Sequence, residues 1–413
     1  MERERFMVNR SPELEVLLLA CRAQWEAIDD GALHTAAAAA DWQQVLDFAR
    51  RHKLLPLLLE LTLSLGERTP PAIRDQLREA GYAHAVRTAR LVRELIQVHG
   101  LFRQQGIPVL AFKGPTLARL AFGDAARRQF DDLDLLVAPA DLARGRDAML
   151  SAGYRPYPAP GSGRSAVRTH PGHGCSFVSE DGSYWVELDS RVGAEHFSFA
   201  IDRDELWAET QNVTIEGTPV RTLSTENTLL LLCVHGTKHA WSRLSWVADV
   251  ASLMHRCPGI RWAELMARAE CYGGRRMLGL GVRLARELLG VALPDPIAQA
   301  VTADPAARSL ADEVIRRYAG TGRTELTPAA AARFHLRARE RLGDRIRYVV
   351  LLAAMPTNQD WRMLPLPPRL SWLYYLLRPF LLAWRVSRRL FRRTQNPRIT
   401  PARRATGRPG ASA

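Results

Sequence analysis

Two aspartates head an apolar run in Asp132-Leu-Asp134-Leu-Leu-Val137, and this hexapeptide constrains the chain more than any other stretch. Read as a strand, it sends alternate side chains to one face, so the two carboxylates point the same way with Cα atoms roughly 7 Å apart. Like charges held side by side at the edge of a core are costly unless a cation offsets them.

The flanking sequence makes the pair more than two solvated acids. Pro108-Val-Leu-Ala-Phe112 has the length of a strand and runs into Lys113-Gly114-Pro115, after which a short helix is predicted to about Phe122. A glycine turn directly after a strand lets backbone N–H groups approach phosphate oxygens. Downstream, the runs 175–179 and 184–189 flank Glu180-Asp181-Gly182-Ser183 and predict a hairpin. Its second strand carries Glu187 and Asp189 on one face, so a third carboxylate reaches Asp132 and Asp134 if the hairpin lies beside their strand. Carboxylate oxygens suit Mg²⁺, and paired Mg²⁺ ions serve phosphoryl and nucleotidyl transfer.

Around this unit the pattern is helical. Residues 12–105 show apolar spacings of helix faces, with Asp41 as a cap and a long helix from about Ile73 to Gln105. A weaker hairpin is expected around Gly217, and from Thr225 helices continue to about Met355. His235, Lys238 and His239 fall at i, i+3 and i+4, sharing a helix face. The lysine disfavours zinc, which leaves phosphate or substrate contact, or a merely structural polar face; Asp249 on the next helix is expected to pair with one of these bases. His170 and His173 lie in a Gly/Pro loop before the hairpin, where binding groups and incidental surface histidines are alternatives. The expected organisation is an α+β fold: a helical region 1–105, a small mixed sheet with helices in 106–223, a helical domain 224–355, an aromatic and basic segment 356–394 and a disordered tail 395–413.

The run KGPTLARLAFGDAARRQFDDLDLLV resembles the signature of an uncharacterised bacterial nucleotidyltransferase family within the DNA polymerase beta-like nucleotidyltransferase superfamily. VELDSRV and HGTKHAWSRLSWVADVASL resemble its downstream blocks in the same order. The resemblance implies a small palm of mixed sheet and Mg²⁺-dependent transfer of a nucleoside monophosphate from an NTP such as ATP, with Mn²⁺ as the alternative ion. It implies Asp132, Asp134 and Glu187 as metal-binding and catalytic acids and Gly114 as the glycine of the phosphate-binding turn. Lys113 and Arg128 match flanking basic positions. Together with His235, Lys238 and His239 they make up the expected nucleotide and substrate contacts. The chain departs from the pattern at Pro115, where the superfamily often has Ser, and at Asp189, where the family usually has His.

Charge and cysteine content restrict partners and compartment. The 413 residues carry a net charge of +14, but twelve arginines and no acid or lysine follow Asp360, so the preceding body is nearly neutral. That argues against a nucleic-acid-binding body, and no specific nucleic-acid partner is expected. The five cysteines are scattered and never in a CxxC pair, which fits a reducing cytoplasm. The run from Leu370 to Trp384 is apolar and aromatic, broken by Arg378-Pro379, and polybasic from Arg385. It suits either a peripheral contact with the inner face of a membrane or packing on the domain with only the arginines exposed, the latter preferred for the aromatic half. The function expected is nucleotidyl transfer to an acceptor that is a small molecule, peptide or saccharide. The alternatives are an inactive nucleotide-binding regulator and a membrane-surface accessory protein in envelope or secondary-metabolite biosynthesis.

Overall fold

The computed structural model describes residues 10–157, 174–179, 181–192, 197, 199, 201–320 and 324–355, and then 363, 364, 370, 372–378, 380, 381 and 384. The loop histidines 170 and 173 and the tail 395–413 lie outside the described residues. The chain divides into two units, Met1–Leu351 and Leu352–Ala413.

In the first unit five helices precede the sheet: α1 Pro12–Arg22, α2 Asp30–Ala39, α3 Trp42–His52, α4 Leu55–Leu65 and α5 Pro71–Gln104. Asp41 caps α3 by accepting from the N–H groups of Gln43 and Gln44, as its position before Trp42 predicts. The sheet region follows with β1 Val109–Ala111, α6 Gly114–Phe122, β2 Asp132–Val137, α7 Leu142–Ser151, β3 Arg155–Tyr157, β4 Gly174–Val178 and β5 Trp185–Asp189. Strand order is β1-β2-β5-β4-β3, with β2 and β5 parallel and the other neighbours antiparallel. A short helix α8, Arg203–Ala208, leads to the two-stranded β6 Thr210–Ile215 and β7 Thr218–Leu223. Helices α9 Thr225–Lys238, α10 Leu244–Arg256, α11 Trp262–Cys271 and α12 Arg275–Leu289 come next, and four more helices run between Asp295 and Ala354. This is the α+β arrangement that the order of sequence patterns predicts, a small mixed sheet between helical regions.

The period-2 pattern of β2 sorts its side chains between two cores. Leu133, Leu135 and Val137 join Val186, Leu188 and Phe177 in the cluster that includes Leu95 and Phe102 of α5 and Met149 of α7. Leu136 joins the larger cluster formed mainly by the N-terminal and C-terminal helices. Asp132 and Asp134 share the second face, so the sheet presents its acids toward the C-terminal helical layer.

That layer is pinned at the end of α9. Ala240 and Trp241 both take positive φ, 49° and 52°, which turns the chain sharply after the helix. The fully buried Trp241 ring lies against Gly236 and Gly281: a Cβ on Gly236 would come within 2.6 Å of the indole. Tyr318 donates its hydroxyl to the Trp241 carbonyl at 2.5 Å, and Arg317 donates to the Ala240 carbonyl at 2.6 Å. The N-terminal helices are tied in through His52, whose Nδ1 accepts from the Leu244 N–H at 3.1 Å.

In the second unit Trp372, Leu376, Phe380 and Trp384 are exposed, by 57%, 61%, 73% and 50%, while Tyr374 and Arg378 are buried. Tyr374 donates to the Leu364 carbonyl and Arg378 to the Met355 carbonyl. Trp372, Leu376, Phe380 and Trp384 follow one another at a four-residue spacing in the sequence. Among the described residues no helix is long and apolar enough to cross a membrane.

Replacing Gly236 with Ala drives a methyl group into the Trp241 ring, and overpacking of this kind typically costs about 1–3 kcal/mol. Gly236→Ala is expected to lower the denaturation midpoint, whereas Gly259→Ala, where a Cβ meets nothing within 4 Å, leaves it nearly unchanged. Equal midpoints in urea would disprove the assignment of Trp241 as the pin.

Candidate functional site

Parallel pairing sets Asp134 directly beside Glu187, and Asp132 beside Trp185. Because paired residues of neighbouring strands share a face, Asp132, Asp134, Glu187 and Asp189 form one acidic patch. Lys113 crosses to it from the end of β1, its Nζ donating to Asp134 Oδ1 at 2.8 Å. Asp134 is only 6% exposed. The backbone puts the lysine there through Gly114, whose φ of +54° and close approach to the Asp132 carbonyl, 3.2 Å from where a Cβ would stand, both require glycine. Pro115 sits in the first turn of α6, where its missing N–H is no loss.

The acids are under electrostatic pressure. Burial, then Asp134 and also Glu187, push the Asp132 carboxyl up to about 6, against the pull of Lys113 and Lys53. Burial works against the charge on Lys113, but Asp134, Asp132 and Glu187 outweigh it and hold the ammonium above its ordinary range.

A cavity of about 290 Å³ opens over Asp132 and Asp134, lined by cations from three regions of the chain: Lys53, Lys113, Arg128 and Arg243. Lys53, at the left-handed end of α3, pairs with Asp131. Arg128 donates from Nε and Nη2 to both carboxylate oxygens of Asp249 at 2.8 and 3.0 Å, and its buried Nη1 has no partner among the described residues. Asp249 is thus committed to Arg128, a correction to its expected pairing with the bases of the 235–239 segment. The bidentate fork suits a guanidinium better than an imidazole or an ammonium.

The 235–239 segment straddles the helix end: α9 stops at Lys238, and His239 is its C-cap. The rings of His235 and His239 lie 4.7 Å apart, and each meets Trp246 of α10, at 5.3 and 5.1 Å. Arg243 lies over the same indole at 5.5 Å. Burial, then neighbouring cations beginning with Lys113, hold His235 well below its ordinary value; burial, Lys238 and Lys113 bring His239 down to about 4. Both are neutral at pH 7. Lys238 is depressed by burial and Lys113, against the pull of Glu187, Asp189 and Asp134. His235 and His239 line the 290 Å³ cavity, while Lys238 lines a second one that shares Lys113, Asp134 and His235 with it.

All nine expected site residues therefore border these two adjoining cavities: Asp132, Asp134, Glu187, Lys113, Gly114, Arg128, His235, Lys238 and His239. Lys53, Arg243, Trp246 and Glu325 line the first cavity as well, and sequence reasoning did not single them out. Lys53 follows a basic helix end with no motif, and Arg243 and Trp246 are marked only by the general resemblance of the block that contains them. Oxygen donors from one sheet face fit a hard cation such as Mg²⁺. Among the described residues no three His, Cys, Asp or Glu side chains converge as a metal cluster; the Lys113 ammonium stands against Asp134.

A family described as "uncharacterised nucleotidyltransferase" matches residues 38–290. Two solved structures are similar. The antibiotic-resistance factor ANT(2'')-Ia matches at 14% identity over 45% of this chain and 93% of its own, with a TM-score of 0.33. An antigenic nucleotidyltransferase-like protein from Paracoccidioides brasiliensis matches at 13% identity over 54% of this chain and 92% of its own, with a TM-score of 0.27. No curated protein matches the sequence.

The raised Asp132 carboxyl has a measurable consequence. Its folded value, about 6, lies above the ordinary 3.8, so the protein loses stability as pH rises from about 4 to 6 and carries the full penalty above that. In the presence of a chelator, Asp132→Asn should be more stable than wild type at pH 7 by about 1–2 kcal/mol, after discounting for residual solvent, and equal to it below pH 4. A variant that is less stable at pH 7 would show that the carboxylate is already compensated.

Proposed function

The chain belongs to the uncharacterised nucleotidyltransferase family, and on that premise we propose that it transfers a nucleoside monophosphate from an NTP to a hydroxyl-bearing acceptor. The observation that carries the reading is the meeting of opposite charges in one cavity: Asp132 and Asp134 on the sheet, faced by Lys53, Lys113, Arg128 and Arg243. A metal–triphosphate needs both signs, acids for the cation and bases for the phosphate oxygens.

In this reading Asp132 and Asp134 would hold Mg²⁺, which when bound withdraws charge from the phosphate oxygens, and Glu187 serves beside them as the base. Lys113, released from Asp134 to the phosphates, and Arg243 bind the triphosphate. Arg128 is braced by Asp249 and offers its unpartnered Nη1. The nucleobase stacks on the Trp246 and His239 rings, a contact open to every base because each has a π-face. The acceptor oxygen forms a bond to the α-phosphorus as the bond to the pyrophosphate oxygen breaks; the hydroxyl proton passes to Glu187, and pyrophosphate leaves with the bonding pair.

Labelled NTPs with Mg²⁺ and a cell extract as acceptor source test this. Asp132→Asn and Asp134→Asn should each cut transfer by on the order of 10²-fold or more while circular dichroism is unchanged, and Glu187→Gln should lower turnover far more than NTP affinity. Wild-type turnover in both aspartate variants would overturn their assignment as the catalytic acids, and nucleotide binding with no transfer by the wild type would leave a nucleotide-binding protein without this chemistry.

We also infer a peripheral membrane contact through the second unit. The supporting observation is the exposure of Trp372, Leu376, Phe380 and Trp384, followed in sequence by nine arginines and no acid. Interfacial aromatics beside a polybasic run suit anionic lipid. Full-length protein should pellet with phosphatidylglycerol vesicles and retain part of that binding in high salt, since the apolar contribution is not screened. Deletion of residues 370–413 should abolish it; equal pelleting of both forms, or of neither, would refute the contact.

A further inference from the structure

Beside the charged cavity lies a second one of about 220 Å³, between the acidic face of the sheet and α9. The two share Lys113, Asp134 and His235, so the acid that would face the donor phosphates also forms a wall of this neighbour. The second carries the larger share of apolar side chains. The second cavity is walled by Phe112, Phe197, Phe199, Leu223, Leu232 and Val234, all buried side chains. Glu187 and Asp189 border it on the sheet side and Lys238 on the helix side. Thr228 also borders it; the residue is 4% exposed, and its buried hydroxyl makes no hydrogen bond among the described residues. A buried hydroxyl without a partner is uncommon and points to a ligand atom or a water as its complement.

We propose that this second cavity binds the acceptor, and that the acceptor is a small alcohol with an apolar body and a hydrogen-bonding group at its far end, which meets Thr228. The proposal rests on the nucleotidyl-transfer reading and narrows it. Glu187, the acid assigned to receive the acceptor's proton, opens into the apolar cavity and does not line the charged one. A saccharide would set those of its hydroxyl groups that lie away from the sheet and helix charges against phenyl and leucyl side chains, each an uncompensated loss. The volume equals about seven waters at ~30 Å³ each, which admits a body of phenyl size and excludes a folded peptide. Sites of this form, mainly apolar with a few convergent polar groups, are the usual form of small-molecule pockets.

The test uses the full chain and two probes, 3-phenyl-1-propanol and 3-(4-hydroxyphenyl)-1-propanol, followed by ligand-detected saturation-transfer NMR, with glucose as the polar control. Mg·ATP affinity is measured separately by calorimetry. Wild type should contact both alcohols and not glucose. Leu231→Trp, which places an indole in the cavity from a half-exposed position, should weaken both alcohols at least tenfold and leave Mg·ATP affinity within about threefold. Thr228→Val keeps the side-chain shape and should weaken only the phenolic probe, about fivefold, the ordinary worth of one net hydrogen bond. If Leu231→Trp is poorly folded by circular dichroism, Thr228→Val decides alone. Absence of alcohol contact in wild type, unchanged binding in both variants, or contact with glucose equal to that of the alcohols would overturn the proposal. So would loss of Mg·ATP affinity in Leu231→Trp, which would assign the apolar cavity to the nucleobase. Failure of the transfer assay with intact alcohol binding would instead count against the nucleotidyl-transfer reading.

Discussion

Crowding of carboxylates on one sheet face is the constraint around which the rest of the molecule is arranged. Parallel pairing of β2 with β5 brings Asp134 and Glu187 side by side, and β-sheet geometry leaves them no way to turn apart. Every neighbour answers that concentration of charge. Lys113 lies against Asp134, Gly114 bends the chain closely enough to deliver it, and further cations line the cavity above. None of these features would be favourable alone: without the acids nothing would offset the burial that works against the Lys113 charge, and without cations the Asp132 carboxyl would be pushed further up.

Long-range ties hold the arrangement in place. Arg128 precedes β2 and is clamped by Asp249 of α10, with side-chain exposures of 13% and 2%. Removing either partner of so buried a pair leaves an uncompensated charge, the expensive case for ion pairs. Lys53 and His52 at the end of α3 bind Asp131 and the Leu244 backbone, so the N-terminal helices form part of the cavity wall. The catalytic reading therefore draws on residues separated by most of the first unit, and the helical regions are not mere flanks of the sheet.

Much of this was legible in the sequence wherever a short-range period or a turn set the geometry. The i, i+2 spacing of Asp132 and Asp134, the glycine turn at Gly114 and the hairpin ahead of Glu187 each depend on a few adjacent residues, and each is found where local rules put it. Partner choice was not legible in this way. Asp249 looked available to His235, Lys238 or His239 because they lie nearby in sequence; the choice of Arg128, 121 residues away, follows from how α10 packs against α6.

The neutral imidazoles of His235 and His239 couple the cavity to protons in solution. They stay uncharged because burial and neighbouring ammonium groups disfavour a further positive charge. A polyanion settling among those ammonium groups removes part of that cost and makes the imidazoles better bases. Any proton these imidazoles take up on binding comes from solvent, so the heat released would vary with the ionisation enthalpy of the buffer.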